Sequence, residues 1–491
     1  MTGAGGLGLT GSAELSGAAE LGWSVPPELG ELHNFNQLEA DYAGWQSRGL
    51  KLDLQRGKPS PAQLDLSEEL LADPGIGHHV SAEGFDIRNY GGPDGLLELR
   101  SIFAELLNIP VAQFLALANG SLRLMHDTAM FALLFGVPGS QRPWIADIYD
   151  GKPVKFICPV PGYDRHFSIC AELGIEMIPV PMLDDGPDVC LIASLVAKDS
   201  SIKGMWIVPT YSNPTGATLS EEKARALFSM PTAAPDFRIF WDDAYGIHHL
   251  TDDCVPARPV LSFAAEAGNP DRVFVFTSTS KITFAGSGVA FFAASPTNLA
   301  WLRSRVAVQS IGPDKVNQYR HAMYLKSPDN VRALMGKHRA ILLPKFVALD
   351  AALRAGLRGS HGSPAVAGSP TVARWNMPKG GYFISLDVLP GTAKRVVELA
   401  AGAGLALTPA GSAFPHEHDP NDSNIRLAPS MLAVADVELA GSILASCILL
   451  AAAETVHPHP SPAPAPTNLP CSCVAGQSAQ GGPLGQHPPL A

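Results

Sequence analysis

The chain has 491 residues, which suggests two domains or one large domain with a segregated smaller one, and 46% of them are hydrophobic, enough for a substantial core. A formal net charge of −11 without basic blocks weighs against nucleic acid and against an anionic membrane surface as partners. Seven cysteines, scattered and odd in number, fit the reduced thiols of a cytoplasmic enzyme better than a disulfide framework; Cys471-Ser472-Cys473 lacks the further Cys or His of a zinc site, so no metal is expected.

Residues 1–28 are Gly/Ala-rich and carry Glu14 and Glu20 but no arginine, unlike a transit peptide; a disordered N-terminal extension is expected. Leu29 to Arg48 places Leu32, Phe35, Leu38, Tyr42 and Trp45 at helical spacing, and the segment 29–80 is expected to pack on the smaller domain. Asn89-Tyr90-Gly91-Gly92-Pro93-Asp94-Gly95 reads as a turn with a surface tyrosine. Gly95 to Leu107 then reads as a helix that ends before Pro110, and Asn119-Gly120-Ser121 opens another over Leu122 to Leu134. From Val154 to about Phe292, apolar strands alternate with helical segments such as Ser220 to Phe228. That alternation predicts an α/β large domain over 81–335, with a mainly parallel sheet flanked by helices. Pro328 to Ala355 reads as a long connecting helix and Gly380 to Leu386 as a strand of a smaller α+β domain over 336–455. Gly359 to Gly368 reads as a loop insertion. No apolar run reaches the roughly 20 residues that span a bilayer; Ala440 to Ala453 is read as a core helix. The Pro/Ala-rich tail 456–491 has too few large apolar residues to bury and is expected to be disordered.

Three strand ends carry the chemistry. After Met205-Trp206-Ile207-Val208 comes Asn213-Pro214-Thr215-Gly216; after Arg238-Ile239-Phe240 comes Trp241-Asp242-Asp243-Ala244-Tyr245; after Val273-Phe274-Val275-Phe276 comes Ser278-Thr279-Ser280-Lys281. Each alone has a plain reading, respectively a turn, a solvated acid pair and a solvated lysine. Open α/β sheets bind ligands at the carboxyl ends of their strands. In order, the three ends offer an amide, an acid with a tyrosine, and a lysine with hydroxyls. The set fits a pyridine cofactor: acid to ring nitrogen, Asn and Tyr to the phenolic oxygen, and an amine to the aldehyde, with hydroxyls for a phosphate.

With these motifs the chain resembles the fold-type I, pyridoxal 5'-phosphate-dependent aminotransferases, in the class I aspartate aminotransferase-like family, from about Leu52 to Leu450. It is most similar to a bacterial-type aspartate aminotransferase subgroup, through Arg56-Gly57-Lys58-Pro59 and Phe284-Ala285-Gly286-Ser287-Gly288-Val289. The resemblance implies a seven-stranded, mainly parallel sheet. It implies that Lys281 forms the Schiff base and shuttles the substrate proton, and that Asp242, three residues before Tyr245, holds the ring nitrogen. Asp243 is then a solvated or structural acid. Asn213 and Tyr245 would bond the phenolic oxygen and Tyr163 would stack on the ring. Gly120, Ser121, Ser278 and Ser280 would hold the phosphate, with Tyr90 reaching it from the neighbouring subunit of a homodimer. Arg426 would bind the substrate α-carboxylate and Gly57 would offer a backbone contact. One departure stands out: Val289 and Ala290 occupy the places, eight and nine after the lysine, where many members have a phosphate-clamping arginine.

The subgroup implies transamination between aspartate and 2-oxoglutarate. No motif fixes the cation for the substrate side chain; Lys58, Lys315 and Arg123 are candidates on general grounds. A lyase of C–S or ring-forming type on the same scaffold would share Lys281, Asp242 and Arg426. A transcriptional regulator built on this fold would need a DNA-binding domain, and the short stretch before Asp53, Gly/Ala-rich at its start, carries too little positive charge to suggest one.

Overall fold

The central strands are apolar on both faces, and in the computed structural model both faces are covered, as a parallel sheet requires. The structure describes residues 23–357 and 371–457; the expected loop insertion and nearly all of the tail lie outside these. In chain order the large-sheet strands are β1 (Phe114–Ala116), β2 (Lys155–Val160), β3 (Glu176–Leu183), β4 (Gly186–Pro187), β5 (Ile202–Ile207), β6 (Arg238–Asp242), β7 (Val273–Ser278) and β8 (Ala290–Ala293). They lie in the order β1-β8-β7-β6-β5-β2-β3-β4. The five from β7 to β3 are parallel, while β1, β8 and β4 pair antiparallel. The expected count was seven; the eighth is a two-residue edge strand folded back on β3. Gly186 makes that hairpin possible, since it sits at φ 116 with Leu219 where a Cβ would be.

Side-chain alternation builds a core on each face. Ile239, Trp241, Val273 and Val275 join one apolar cluster, whereas Phe240, Phe274 and Phe276 join the other. All residues of β6 and β7 are buried, so a polar group at their ends has to be satisfied locally.

The smaller domain is an antiparallel sheet of β9 (Ala373–Trp375), β10 (Ile384–Val388) and β11 (Asn424–Leu427). Two long helices lie with it, Pro328–Gly356 and Val434–Glu454, and the N-terminal helix Leu32–Ser47 packs on the same apolar cluster. Trp45 Nε1 donates to Ser446 Oγ (3.1 Å) and Tyr42 OH to the Leu399 carbonyl (3.0 Å), which fasten that helix. Within the expected N-terminal extension, Ser24 N–H donates to Thr371 O (3.3 Å). Val434–Glu454 is long and apolar enough to cross a membrane, but 56% of that window is buried within the protein, in keeping with a core helix. The expected strand from Gly380 begins only at Ile384, because the Gly380-Gly381 backbone is pressed against the Tyr211 ring; a Cβ on Gly380 would stand 2.2 Å from it.

Candidate active site

Strands β5, β6 and β7 are parallel neighbours, so their carboxyl ends deliver Asn213, Asp242 and Lys281 to one edge of the sheet. Asp242 is the last residue of β6 and is 2% exposed. Its Oδ2 accepts from His166 Nε2 (3.2 Å), and the His166 ring stacks on Trp206 at 4.5 Å and 10°. Its Oδ1 is buried with no partner among the described residues. A buried carboxylate oxygen without a donor is costly, and a protonated ring nitrogen is a donor of the right kind. Asp243 is half-buried, and burial, with the Asp242 charge adding to it, pushes its carboxyl up to about 7.

Lys281 sits on the turn after β7, half-buried, with Nζ 5.0 Å from the Tyr245 ring centroid and 5.9 Å from that of Tyr382. The turn is tied on both sides. Val289 N–H donates to Thr279 Oγ1 (2.9 Å), and His338 Nε2 donates to the Ile282 carbonyl (2.9 Å). His338 Nδ1 accepts from Gln63 Nε2 (3.1 Å), which also donates to Tyr382 OH (2.9 Å). These bonds hold the backbone of the lysine turn while the amine has no hydrogen-bond partner among the described residues. Burial, reinforced by the Asp242 charge, drives the Tyr245 phenol well above its ordinary range, so Tyr245 is an O–H donor. Tyr163 precedes the helix Asp164–Glu172, and its phenol is likewise raised by burial, with the Lys281 charge pulling the other way.

Gly120 caps and Ser121 begins the helix Ser121–Phe135, whose first turn has no side-chain cap and so leaves N–H groups for an anion. Ser278 Oγ donates to Ser280 Oγ at 3.1 Å. A Cβ on Gly288 would lie 3.0 Å from Asn119 O and 3.1 Å from Ser280 Oγ, so the glycine lets the helix start and the serine turn close on each other. Val289 and Ala290 are buried in strand pairing, Ala290 N–H donating to Ala118 O (2.7 Å), which leaves no room for an arginine. The cradle therefore offers N–H groups and hydroxyls. Tyr90 is 81% exposed on a loop that Lys315 Nζ pins through Gly91 O (2.7 Å), and its side chain has no hydrogen bond or ring contact among the described residues.

On the substrate side, Arg426 of β11 donates through Nη1 to Asp164 Oδ1 (2.8 Å) and, at 3.5 Å, to Asn213 Oδ1. Its Nε is buried without a hydrogen-bond partner among the described residues. Phe383 lies 5.2 Å from that guanidinium, and Gly57 backs the same ring so closely that a Cβ would be 2.4 Å from it. Arg426, Asp164, Arg56 and Arg165 line one cavity of about 780 Å³. The side-chain cations suggested by sequence are elsewhere. Lys58 is exposed, Lys315 is spent on Gly91, and Arg123 pairs with Asp127 at 3.7 Å. Sequence reasoning missed His166, Trp206, Asp164, Gln63 and His338. For His166 a signal existed: it stands three residues after Tyr163, on the same helical face.

Comparisons with known proteins agree with this geometry. A family model described as aspartate amino-transferase matches residues 27–459. An aspartate aminotransferase of Corynebacterium glutamicum is 50% identical over 409 residues, covering 83% of this chain and 91% of that one. A Mycolicibacterium smegmatis protein with a provisional aminotransferase name is 53% identical over 420 residues, covering 85% and 95%. The solved structure of a Corynebacterium glutamicum aspartate transaminase superposes with TM-score 0.81 at 48% identity, covering 86% of this chain and 96% of that one. These relatives give no support to the lyase alternative.

Proposed function

The chain belongs to the aspartate aminotransferase family and is an aminotransferase with the fold-type I architecture; from that premise we propose that it is pyridoxal 5'-phosphate-dependent and moves an amino group from aspartate to 2-oxoglutarate. The observation that carries the cofactor reading is the buried, unpartnered Oδ1 of Asp242, one strand from Lys281. Asp242 would hold the protonated ring nitrogen, Tyr245 and Asn213 the phenolic oxygen, Tyr163 a ring face, and Gly120, Ser121, Ser278 and Ser280 the phosphate. Bound there, the cofactor supplies an aldehyde and an electron-withdrawing ring.

The chain's own residues supply the rest. Lys281 Nζ takes the proton from the substrate Cα and returns it on the cofactor side, which requires a mobile amine on a fixed turn. His166 keeps Asp242 oriented. Arg426 grips the α-carboxylate and Gly57 contributes a backbone contact next to it. We place the enzyme in the cytoplasm, in line with Cys158, Cys170, Cys190, Cys254 and Cys447 all being free. We also propose a homodimer in which Tyr90 serves the partner's phosphate; exposed Ile311, next to Gly312 where the chain meets Gly91 of the Tyr90 loop, supports an interface there. Borohydride reduction of the holoenzyme followed by peptide mapping tests the core of this reading. Label on Lys281 is expected. Lys281→Ala should lose the visible absorbance and, on the scale of general acid–base catalysis, roughly a thousandfold or more in turnover. Retained turnover with an unchanged spectrum would refute it.

A further inference from the structure

The lysine turn is tied to a residue far from it in sequence, and hydrogen-bond chemistry leaves that tie one consistent arrangement. Gln63 lies in the short helix Pro61–Asp65 and is fully buried, as are the two side chains it holds, His338 and Tyr382. Its Oε1 accepts from the Ser60 N–H (3.1 Å), so turning the amide over would set two donors against each other. Both hydrogens of Nε2 are then committed, one to His338 Nδ1 (3.1 Å) and one to Tyr382 OH (2.9 Å). With Nδ1 an acceptor, a neutral His338 carries its proton on Nε2, which meets the carbonyl of Ile282, the residue after Lys281, at 2.9 Å. Tyr382 flanks the amine itself, its ring centroid 5.9 Å from Lys281 Nζ.

We infer that Gln63 is a positioning residue for Lys281, acting through the His338 tautomer on the backbone of the lysine turn and through Tyr382 on the surroundings of the amine. The inference rests on the reading of Lys281 as the cofactor-binding lysine. Packing alone would be served better by apolar side chains, because a fully buried polar trio is costly unless every bond in it is made. Burial lowers the His338 imidazole, so the ring stays neutral and its single proton has to be placed by a neighbour. The neighbour belongs to the segment that carries Arg56, Gly57 and Lys58. Ser430 Oγ donates to the Lys58 carbonyl (2.7 Å), and Gly57 abuts the ring of Phe383, which follows Tyr382 and lies 5.2 Å from the Arg426 guanidinium. One stretch of chain thereby sets both the lysine turn and the backing of Arg426.

The test compares the parent with Gln63→Met, which keeps the volume and loses every bond, with His338→Phe, which keeps a ring and loses the tie to Ile282, and with the double variant. Trp45→Phe is the control, since it removes the bond to Ser446 from the N-terminal helix and leaves the lysine turn alone. Each full-length apoenzyme is mixed with saturating pyridoxal 5'-phosphate, and the growth of the visible absorbance of the lysine-bound cofactor is timed. Affinity for pyridoxamine 5'-phosphate, which has no aldehyde for the lysine to meet, is measured alongside. In Gln63→Met, capture of the aldehyde is expected to slow about tenfold while pyridoxamine phosphate affinity stays within about twofold, on the scale of one or two lost buried hydrogen bonds. His338→Phe should reproduce part of the slowing. The double variant should be little slower than Gln63→Met, because both changes break one chain of bonds. Trp45→Phe should melt lower and capture at the parental rate. Parental capture by Gln63→Met would overturn the inference. So would equal slowing in Trp45→Phe, equal loss of affinity for both cofactor forms, or fully additive slowing in the double variant. A parent that forms no visible band with pyridoxal phosphate would instead sink the functional reading itself, so the two failures are distinguishable.

Discussion

The carboxyl edge of the large sheet and the cavity beneath the smaller domain are built on opposite terms. At the sheet edge, polar groups are buried, few and nearly all tied: Asp242 to His166, the lysine turn to Thr279 and His338, Ser278 to Ser280. Among the described residues the orphans there are Asp242 Oδ1, its neighbour Asp243 Oδ1 and the two ring nitrogens of His248. In the cavity, charges are more exposed, drawn from separate segments of chain, and two of the three arginines are unpaired. The difference is that between holding a resident group and receiving a passing one. A resident ligand can justify a buried, otherwise unsatisfied acceptor, because it is present through folding and turnover. A substrate must leave, so its receptors stay hydrated when it is absent.

The sharpest way to break that contrast, after removal of the lysine, is Asp242→Asn. It keeps shape and burial but removes the charge that the orphan oxygen carries. A hydrogen bond to a charged group is worth about 1.5–3 kcal/mol, so turnover should fall by roughly tenfold to a hundredfold or more, with weaker retention of cofactor on dialysis. An unchanged rate would show that the sheet edge does not grip the ring nitrogen.

The same contrast explains what was legible in the amino-acid order. Lys281, Asp242, Tyr245 and Asn213 each follow an apolar strand at short range, and strands announce themselves by composition. Asp242 could be preferred to Asp243 only through the family resemblance, which places the acid three residues before the tyrosine, and the structure adds that Asp243 is half-buried, which no local pattern conveys. The helix starts were legible from Ser220 and from Ser121, within a residue or two. What was not legible depends on chain segments hundreds of residues apart. Gln63 meets His338, and Arg426 meets Asp164, only because the smaller domain folds onto the large one. The two-residue strand at Gly186 was missed for a different reason, being too short to carry a periodic signal.

A smaller effect is expected from the cavity side. Arg426→Ala removes a bidentate clamp but leaves the sheet edge intact, so KM for both amino acid and keto acid should rise by about tenfold to a hundredfold while the absorbance of the bound cofactor stays as in the parent. Gly57, packed against Phe383 beside this arginine, marks how tightly the clamp is backed. If KM were unchanged, Asp164 rather than a substrate would be the true partner of Arg426.

The smallest expected change tests whether the tied region is also the acid-sensitive one. His248 is 3% exposed between Tyr245 and Tyr382; the Lys281 backbone lies alongside, yet neither ring nitrogen reaches hydrogen-bonding geometry with a partner among the described residues. Burial, followed by the neighbouring Lys281 charge, lowers its imidazole from 6.5 to about 3. Between those two values the unfolded chain binds a proton that the folded chain refuses, so stability rises with pH across that window and is lost as pH falls from 6.5 toward 3. His338 and His321, also lowered by burial, act with the same sign. His248→Phe keeps the ring shape and removes one of these protons. The fall in melting temperature between pH 7.5 and 5.5 should therefore shrink by a few degrees at most, since one group contributes no more than about 1.4 kcal/mol per pH unit. The two histidines that remain should preserve the rest of the slope. An acid limb identical to that of the parent would mean that His248 finds a proton partner in the folded protein, and that the lysine turn is wetter than its packing implies.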